Sequence, residues 1–534
     1  MQHDQPRPRR ANKSGIRQVL FNSLSFLLIF LPIVLSGFLI CRRYGNVQWV
    51  FIWLFICSAV FYGAWEPRYI FLLISSILFN YFVAIQLARS KSKPLLAFGI
   101  VVNLGSLAYF KYLNFILQTW SSVLGADFQP VAITLPLGIS FITFIQIAFL
   151  VDVFRNSSDD LGFPKYALFV AYFPHLIAGP IIHHKEVMSQ FTNARLAAIS
   201  ANDVVGGIAL ILCGLFKKVI IADTMASYST PAFHLAGQLQ PISFFDAWGA
   251  LLAFTFQIYF DFSGYSDIAI GLSRLFGVRL PVNFDSPYKA TSIIDFWRRW
   301  HITLSRFLRD YLYVPLGGNR HGVLRRYSNL MIVMLLGGLW HGASWMFVIW
   351  GGLHGTYLII NHAFHFLKRK IGEQSLSVLI ASRLFSLLVF PAVMLSWVFF
   401  RSESWQGAKT MLRGMLGYNG ILLPERYQAV LGSLNDWVMS TLHMHTGDLV
   451  TFGSFRAVLW MILVTAFVFL LPNSQQLLSE FDRSSGLAED GHLRSRMLAF
   501  RPTAISAVVA AGVGIVVLAA IYAGVPSEFI YFQF

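Results

Sequence analysis

The sequence predicts an all-α, polytopic integral membrane protein with about 11 to 14 transmembrane, re-entrant and interfacial helices. Hydrophobic residues occupy 56% of the 534 positions and charged residues only 12%, whereas a soluble domain carries about 25% charged residues. Many apolar runs approach the roughly 20 residues that a helix needs to cross a bilayer. The net charge of +16 is divided among short basic runs between these segments. Such runs are typical of membrane topology signals and argue against a nucleic-acid-binding face.

The N-terminus divides into a basic extension and the start of the membrane domain. Residues 1–18 are rich in arginine and lysine, so the positive-inside rule predicts a cytoplasmic extension. The apolar run Val19–Ile40 is too long for a signal-peptide core and lacks a small-residue cleavage site, so it is expected to remain as the first span. Residues 19–534 then form a single membrane domain.

Further apolar segments follow in order along the chain. They are Val47–Tyr62, Tyr69–Ala88, Leu95–Leu117, Ile133–Phe154, Tyr166–Ile182, Val204–Ala222, Ala247–Phe260, Ser328–Ile349, Ser375–Phe400, Ala457–Leu471 and Thr503–Val525. The segment Tyr166–Ile182 contains Pro174 and Pro180, so it is not expected to form one straight helix. The polar intervals Trp405–Thr451 and Asn473–Arg501 predict extramembrane loops.

The stretch Asp295–Tyr313 predicts one amphipathic helix. On a helical wheel of about 100° per residue, its arginines share one face, aromatic side chains cover the other, and His301 lies at the margin. The arginines fit two kinds of ligand, since both membrane lipids and an anionic donor such as coenzyme A carry phosphates. These arginines are Arg298, Arg299, Arg306 and Arg309.

His341 lies within the apolar run Ser328–Ile349. One interpretation is a neutral imidazole bonded to a carbonyl of a neighbouring helix. The other is a general base, since imidazole titrates near neutral pH and can take the proton of a hydroxyl. Two features favour the base: glycines that leave room for another backbone or a thin substrate, and tryptophans that could form pocket walls. These residues are Gly337, Gly338, Gly342, Trp340 and Trp345.

Metal and disulfide sites are not expected. Cys41, Cys57 and Cys213 lie in or beside apolar segments and have no metal-binding or disulfide spacing. Adjacent histidines point apart on a helix, and the i, i+3 pair could share a face but has no nearby carboxylate or third ligand in the sequence. These pairs are His183/His184, His362/His365 and His443/His445.

Several strings of residues resemble the membrane-bound O-acyltransferase (MBOAT) family, within it the bacterial branch of the alginate O-acetyltransferase membrane subunit. They are LPLGISF at 135–141, AGP at 178–180, YFDFSGYSD at 259–267, NF at 283–284, SPY at 286–288, FWRRWH at 296–301, RDYLYVPLGGN at 309–319 and LGGLWHG at 336–342. The extension 1–18 and the loop Glu425–Thr451 fit the family pattern less well, and we assign them no role.

The resemblance implies a ring of helices around a thin core with a central funnel or tunnel, and a catalytic core at about residues 133–366. It makes His341 the catalytic histidine and His301 the second histidine of the site. The candidate substrate-binding residues lie in or beside the matching strings. They are Trp297, Arg298, Arg299, Trp300, Arg306, Tyr313, Asn319, Trp340, Asp261 and Asn283.

The resemblance also implies a function in the bacterial inner membrane. An acyl thioester, acetyl-coenzyme A or an acyl carrier protein, is the expected cytoplasmic donor substrate, with no permanently bound cofactor. The expected partner is a periplasmic SGNH-type acetyltransferase that decorates an exopolysaccharide such as alginate or cellulose. A covalent acyl-serine is less favoured because the sequence has no Gly-x-Ser-x-Gly elbow.

Three alternatives remain open. Within the same class, the chain could transfer D-alanine or another acyl group from a carrier protein to a cell-envelope polymer. From another class, a polysaccharide or lipid transporter would also be polytopic, but it is expected to show inverted half-repeats, and none is visible in the sequence. The third alternative is a scaffold without activity, which a transfer assay would distinguish from an enzyme.

Overall fold

The chain folds into a helical membrane domain, which confirms the predicted class. The computed structural model describes residues 20–155, 161–177, 179–191, 199–372, 375–479, 503–524 and 529–530. Within these ranges, helices form nearly all of the regular structure. The predicted extension 1–18 and residues 480–501 of the second polar interval lie outside the described residues.

The first half of the chain contains eleven α-helices, counted over the described residues only. A π-helical turn Phe26–Phe30 precedes α1 (Leu31–Tyr44), followed by α2 (Val47–Gly63), α3 (Arg68–Ser90), α4 (Lys93–Leu107), a π-helical turn Ala108–Tyr112, α5 (Leu113–Leu124), α6 (Ile139–Phe154), α7 (Phe163–Ala171), α8 (Phe173–Leu176), α9 (His184–Met188), α10 (Ala201–Leu215), a π-helical turn Phe216–Ala222 and α11 (Asp223–Gly237).

The second half begins with the longest of the described helices. The elements are α12 (Phe244–Leu275), a 3-10 turn Pro287–Lys289, α13 (Ile293–Arg299), α14 (Ile302–Leu308), a π-helical turn Arg309–Tyr313, α15 (Gly322–His341), α16 (Trp345–Ile371), α17 (Leu376–Arg401), α18 (Trp405–Met415), β1 (Ile421–Leu423), α19 (Glu425–Leu431), a 3-10 turn Gly432–Leu434, α20 (Asn435–Thr441), β2 (Met444–Thr446), α21 (Phe455–Leu470), α22 (Ser474–Leu477) and α23 (Ala504–Ala523).

Length and composition identify the helices able to cross a membrane. Within the described ranges, six helices or helices joined end to end qualify: Phe26–Tyr44, Arg68–Ser90, Lys93–Leu124, Ala201–Gly237, Leu376–Arg401 and Ala504–Ala523. Three shorter apolar helices accompany them: Val47–Gly63, Ile139–Phe154 and Phe455–Leu470. The protein is therefore a polytopic membrane protein.

Two details of the backbone bear on the sequence predictions. The segment Tyr166–Ile182 is interrupted as expected, because α7 ends at Ala171 and the short α8 begins at Phe173, with Pro174 in its first turn. The polar interval Trp405–Thr451 contains a feature that was not predicted. Its strands β1 and β2 pair in parallel, with Ile421 opposite Met444.

Short connections make α1, α2, α3 and the joined α4–α5 run alternately between the two ends of the domain. At one end, Lys91 follows α3 and donates to the Val153 carbonyl near the end of α6 at 2.6 Å. At the other end, Tyr69 begins α3 and donates to the carbonyl of Thr134, shortly before α6 starts. Two ends of the domain can therefore be distinguished by contacts between helices.

Basic side chains concentrate at the end where α3 and α6 finish. Phe38, near the end of α1, packs against Phe276 at 5.2 Å between ring centroids, and Arg279 pairs with Asp203 at the start of α10 at 3.1 Å. We call this end the basic face. Its residues include Arg42, Arg43, Arg89, Lys91, Lys93, Arg279 and Arg306.

α15 and α16 form a hairpin that divides the predicted run Ser328–Ile349. The prediction of one continuous segment is wrong, because α15 ends at His341 and the chain turns at 342–344 before α16 begins. The side chain of Ser344 accepts a hydrogen bond from the Met346 N–H at 3.2 Å and caps the new helix. His341 is therefore the last residue of a helix and does not lie in the middle of one.

Glycines allow the two helices of this hairpin to approach closely. A Cβ added at Gly338 would collide with the carbonyl oxygen of Phe347, and a Cβ added at Gly351 would collide with the carbonyl oxygen of Met334. The space predicted beside Gly338 is thus filled by the backbone of the other helix, one of the two occupants expected.

Replacing Gly351 with alanine is expected to lower the unfolding free energy by about 1–3 kcal/mol, because the hairpin must open to admit the methyl group. Gly352 provides a matched control in the same helix. A Cβ there meets only Leu335 Cδ2 at 3.6 Å, an ordinary contact. Thermal unfolding of both variants in detergent checks the prediction, and equal melting temperatures would contradict it.

Candidate active site

His341 occupies the buried end of α15 and is only 3% exposed. Aromatic rings surround its imidazole: the centroid of Trp340 lies 5.0 Å away, that of Trp350 5.1 Å and that of Phe400 5.4 Å. The ring of Trp350 stands at 89° to the imidazole. The imidazole is therefore held in a largely apolar enclosure.

His301 lies at a break in the chain where one helix was predicted. The prediction of a single helix over Asp295–Tyr313 is wrong, because α13 ends at Arg299 and α14 begins at Ile302. His301 takes a left-handed backbone conformation with φ of 43°, which few non-glycine residues adopt. Because the helix is interrupted at His301, the residues before it and the residues after it do not share one helical face.

Asn283 supports this break from a distant loop. Its backbone carbonyl accepts from the Ile302 N–H at 3.0 Å. Its side-chain oxygen accepts from the Thr303 hydroxyl at 2.9 Å and lies 3.1 Å from His301 Nδ1. Asn283 was predicted to bind substrate. In the structure its side chain holds His301 in place, and the substrate role stays a prediction.

The two histidines lie close together in the core. Their ring centroids are 6.4 Å apart, and His301 is fully buried, edge-on to Phe262 at 4.6 Å. His301 Nε2 has no hydrogen-bond partner among the described residues. Reacting groups approach to about 3–3.5 Å before bond formation, so both rings are close enough to contact one small acyl group.

A small pocket reaches His341 from the end opposite the basic face. Its walls come from the segment before α6, the start of α6, the π-helical turn between α4 and α5, and the end of α15. The lining residues are Lys111, Leu135, Pro136, Gly138, Ile139, Ser140, Phe141, Ile177, Trp340 and His341. The pocket gives a small polar group a route to the imidazole from this end.

The predicted tryptophans divide between the site and the core. Trp340 lines the pocket and stacks on Phe144 at 5.3 Å. Trp297 packs against His354 at 5.1 Å, and Trp300 is fully buried against Trp397 at 5.1 Å.

Trp345 does not form a pocket wall as expected. Its side chain is 54% exposed and packs against Phe115. Trp350, one helical turn further on, takes the place beside His341.

Three residues near the site were missed in the sequence. Besides Trp350, these are His354, whose Nε2 lies 2.9 Å from Ser396 Oγ, and Lys111, which lines the pocket. A lysine inside the apolar run Leu95–Leu117 was a visible signal, because ionisable residues at membrane depth are rare and usually functional.

The predicted cluster of arginines on one helical face is not present. Because the helix is broken at His301, the guanidinium groups turn to separate carboxylates. Arg299 pairs with Asp295 at 2.9 Å, and Arg306 pairs with Glu186 on α9. The remaining two are both exposed: Arg298, and Arg309, which pairs with its neighbour Asp310 at 2.7 Å.

Tyr313 and Asn319 lie away from the histidines. Tyr313 ends a π-helical turn and is partly buried, and Asn319 is exposed in the turn that precedes α15. No described contact joins either residue to His301 or His341. Their predicted roles in substrate binding remain untested.

Asp261 is buried in α12, where its carboxylate forms an ion pair with Lys218. Its carboxylate lies 2.6 Å from Lys218 Nζ and accepts from the Ile530 N–H at 2.9 Å. Lys218 also contacts Asp223 at 2.9 Å. These contacts indicate that Asp261 stabilises the helix packing, while its predicted role in substrate binding stays a prediction.

Asp261→Asn is expected to destabilise the fold by about 2–3 kcal/mol, somewhat less than the about 3–5 kcal/mol typical of a broken buried ion pair, because Asp223 still faces Lys218. Transfer activity per folded molecule is expected to stay near that of the wild type. Melting temperature and specific activity are the two measurements. An unchanged melting temperature with a large loss of activity would instead place Asp261 at the substrate.

The adjacent histidines His183 and His184 contact the same hydrogen-bonded pair, Tyr311 and Asp152. His183 Nδ1 lies 3.1 Å from the Tyr311 hydroxyl, and His184 Nδ1 lies 3.1 Å from Asp152 Oδ2. Tyr311 donates to the same carboxylate at 2.8 Å. In the part of the chain that the structure describes, no three His, Cys, Asp or Glu side chains are grouped to hold a metal ion.

Comparisons with known proteins identify the family of the chain. The sequence model of the MBOAT, membrane-bound O-acyltransferase family, matches residues 95–392, a range that contains both histidines. The chain is 39% identical to a peptidoglycan O-acetyltransferase of Helicobacter pylori over 86% of this chain and 90% of that protein. It is 39% identical to a probable alginate O-acetylase of Pseudomonas aeruginosa over 78% of each chain. A teichoic acid D-alanyltransferase of Streptococcus thermophilus is 28% identical over 44% of this chain and 59% of that protein.

Proposed function

Because the chain belongs to the membrane-bound O-acyltransferase family and is an O-acyltransferase, we propose that it moves an acetyl group from a cytoplasmic thioester to a hydroxyl acceptor beyond the membrane. One observation carries the proposal: the ring centroids of two buried histidines, His301 and His341, lie 6.4 Å apart, and His341 also lines a pocket. The donor is acetyl-coenzyme A, a substrate that leaves after each turnover.

In the proposed reaction, His341 acts as general base. Its imidazole takes the proton of the acceptor hydroxyl while the hydroxyl oxygen attacks the thioester carbonyl carbon. The new C–O bond forms, the C–S bond breaks, and the leaving thiolate takes the proton back from the imidazolium. His301 orients the donor: because its Nδ1 donates to Asn283 Oδ1, Nε2 of the neutral ring is left as a hydrogen-bond acceptor that faces away from Asn283.

The distribution of charge supports the direction of transfer. Lysine and arginine accumulate on the cytoplasmic side of membrane proteins, so we assign the basic face to the cytoplasm and the pocket to the opposite side. The donor then approaches from the basic face and the acceptor from the pocket. α1 begins near the pocket end, so this orientation disagrees with the cytoplasmic extension expected from residues 1–18.

For the acceptor we propose a glycan of the bacterial cell envelope, reached through a periplasmic SGNH-type partner. The relatives named as an alginate O-acetylase and a peptidoglycan O-acetyltransferase support a polysaccharide acceptor. The D-alanyltransferase relative matches less than half of this chain, so D-alanyl transfer is the weaker alternative. Relatives named as transferases also favour an enzyme over a transporter or a scaffold.

The test is transfer by the purified protein in liposomes, to which a periplasmic SGNH-type acetyltransferase is added. Labelled acetyl-coenzyme A and a D-alanyl carrier protein serve as competing donors, and alginate, cellulose and peptidoglycan oligosaccharides serve as acceptors. Acetyl transfer from acetyl-coenzyme A, lost in His341→Ala, is the expected result. Transfer of D-alanine alone would select the alternative, and acetyl transfer that persists in the variant would overturn the role of His341.

A further inference from the structure

The helix that carries His341 ends inside the protein, where water cannot complete its hydrogen bonds. The last four carbonyl groups of any α-helix lack partners within the helix. In α15, three of these four belong to Leu339, Trp340 and His341. Buried carbonyls without a partner are destabilising, so groups outside the helix must donate hydrogen bonds to these carbonyls.

Two neighbouring residues of another helix supply the missing donors. Lys111 Nζ donates to the Trp340 carbonyl at 2.6 Å and to the His341 carbonyl at 3.2 Å. The Tyr112 hydroxyl donates to the Leu339 carbonyl at 2.8 Å. Lys111 and Tyr112 both lie in the π-helical turn Ala108–Tyr112, and such turns are frequent at functional sites.

The third proton of the Lys111 ammonium group also has an acceptor. Nζ lies 3.3 Å from the hydroxyl oxygen of Ser140, at the start of α6. An ammonium group has three N–H donors and no acceptor, so its hydrogen bonds are fully used by the protein. Although Lys111 lines the pocket, it has no donor left for a substrate.

The charge of Lys111 fits this place as well as its geometry does. The C-terminus of a helix carries a partial negative charge, and a cation there is stabilising. Hydrogen bonds from a charged donor are stronger than those from a neutral one. The charged lysine therefore stabilises the last turn of α15 more than the neutral tyrosine does.

We propose that Lys111 and Tyr112 are positioning residues that hold the last turn of α15, and with it the imidazole of His341, in the geometry that transfer requires. The inference rests on the proposed function of His341. Neither residue touches the reacting atoms; both act through the backbone of residues 339–341. A displacement of a catalytic group by about 1 Å can cost on the order of 100-fold in rate.

The test compares Lys111→Met and Tyr112→Phe with a matched control, Lys91→Met. Lys91 also donates to a carbonyl near the end of a helix, Val153 in α6. Ser140 and Val153 stand about 20 Å apart along α6 at about 1.5 Å per residue, so the control lies far from the site. Steady-state acetyl transfer and hydrogen exchange of the amides at 338–344 are measured in liposomes.

Lys111→Met is expected to lower kcat by about 10- to 100-fold with the KM of donor and acceptor nearly unchanged, and to speed exchange at 338–344. Tyr112→Phe is expected to show a smaller loss of the same kind. Lys111→Arg, which keeps the charge and donors, is expected to restore part of kcat. Lys91→Met is expected to keep the wild-type kcat.

Two results would overturn the inference. A higher acceptor KM with unchanged kcat in Lys111→Met would make the lysine a binding group. Unchanged exchange and kcat would show that the cap has no effect on His341. His341→Ala in the same assay separates this failure from failure of the proposed function: if it transfers like the wild type, the histidine role is wrong, whereas the exchange result still reports on the cap.

Discussion

Replacing His341 with alanine is expected to lower the rate of acyl transfer by about 100- to 10,000-fold, the range that a general base contributes. His341 lines the pocket, and aromatic rings surround its imidazole. Initial rates with labelled acetyl-coenzyme A, at matched amounts of folded protein, provide the measurement.

The control for this variant is His234→Ala. His234 is exposed in α11, so its loss removes a histidine without disturbing the core, and full activity is expected. Similar melting temperatures for wild type and His341→Ala are needed to separate chemistry from folding. Transfer by folded His341→Ala at more than about a tenth of the wild-type rate would be incompatible with a general base.

The second large effect is expected at His301. Alanine there removes the imidazole that orients the donor and keeps the left-handed backbone at φ of 43°, a conformation that costs about 1–2 kcal/mol for most L-residues. Asparagine tolerates this conformation much better. We therefore expect His301→Ala and His301→Asn both to lose about 100-fold in kcat, and His301→Ala to be the less stable of the two.

Asn283→Ala serves as the companion to these variants. It removes the acceptor for Thr303 and for His301 Nδ1 but leaves the imidazole present. An intermediate loss of kcat is expected, since His301 remains but is free to turn. If His301→Asn retained wild-type kcat, the histidine would serve only to fold the break between α13 and α14.

How far the sequence predicts the fold depends on the distance between the interacting residues. The helices follow from apolar length, and the break at Pro174 follows from a local signal. The break at His301 depends on Asn283, which lies in a separate loop and is invisible to a helical wheel. The end of α15 had a local signal that was not used, the helix-capping Ser344.

The sequence likewise predicts only part of the candidate site. His341 and His301 stand out because ionisable side chains at membrane depth are costly, and the structure brings them together. The choice of Trp345 as a wall failed because it assumed that the helix continues past His341. The pairing of Arg306 with Glu186 joins residues from different helices, so no spacing within one segment reveals it.

The π-helical turn at 108–112 also has a consequence for how the chain tolerates changes in length. Such a turn holds one more residue than an α-helical turn, so deleting one residue there leaves the outward faces of α4 and α5 where they are. The same deletion inside α4 would rotate everything after it by about 100°. We therefore expect single-residue gaps among related sequences to fall at this turn.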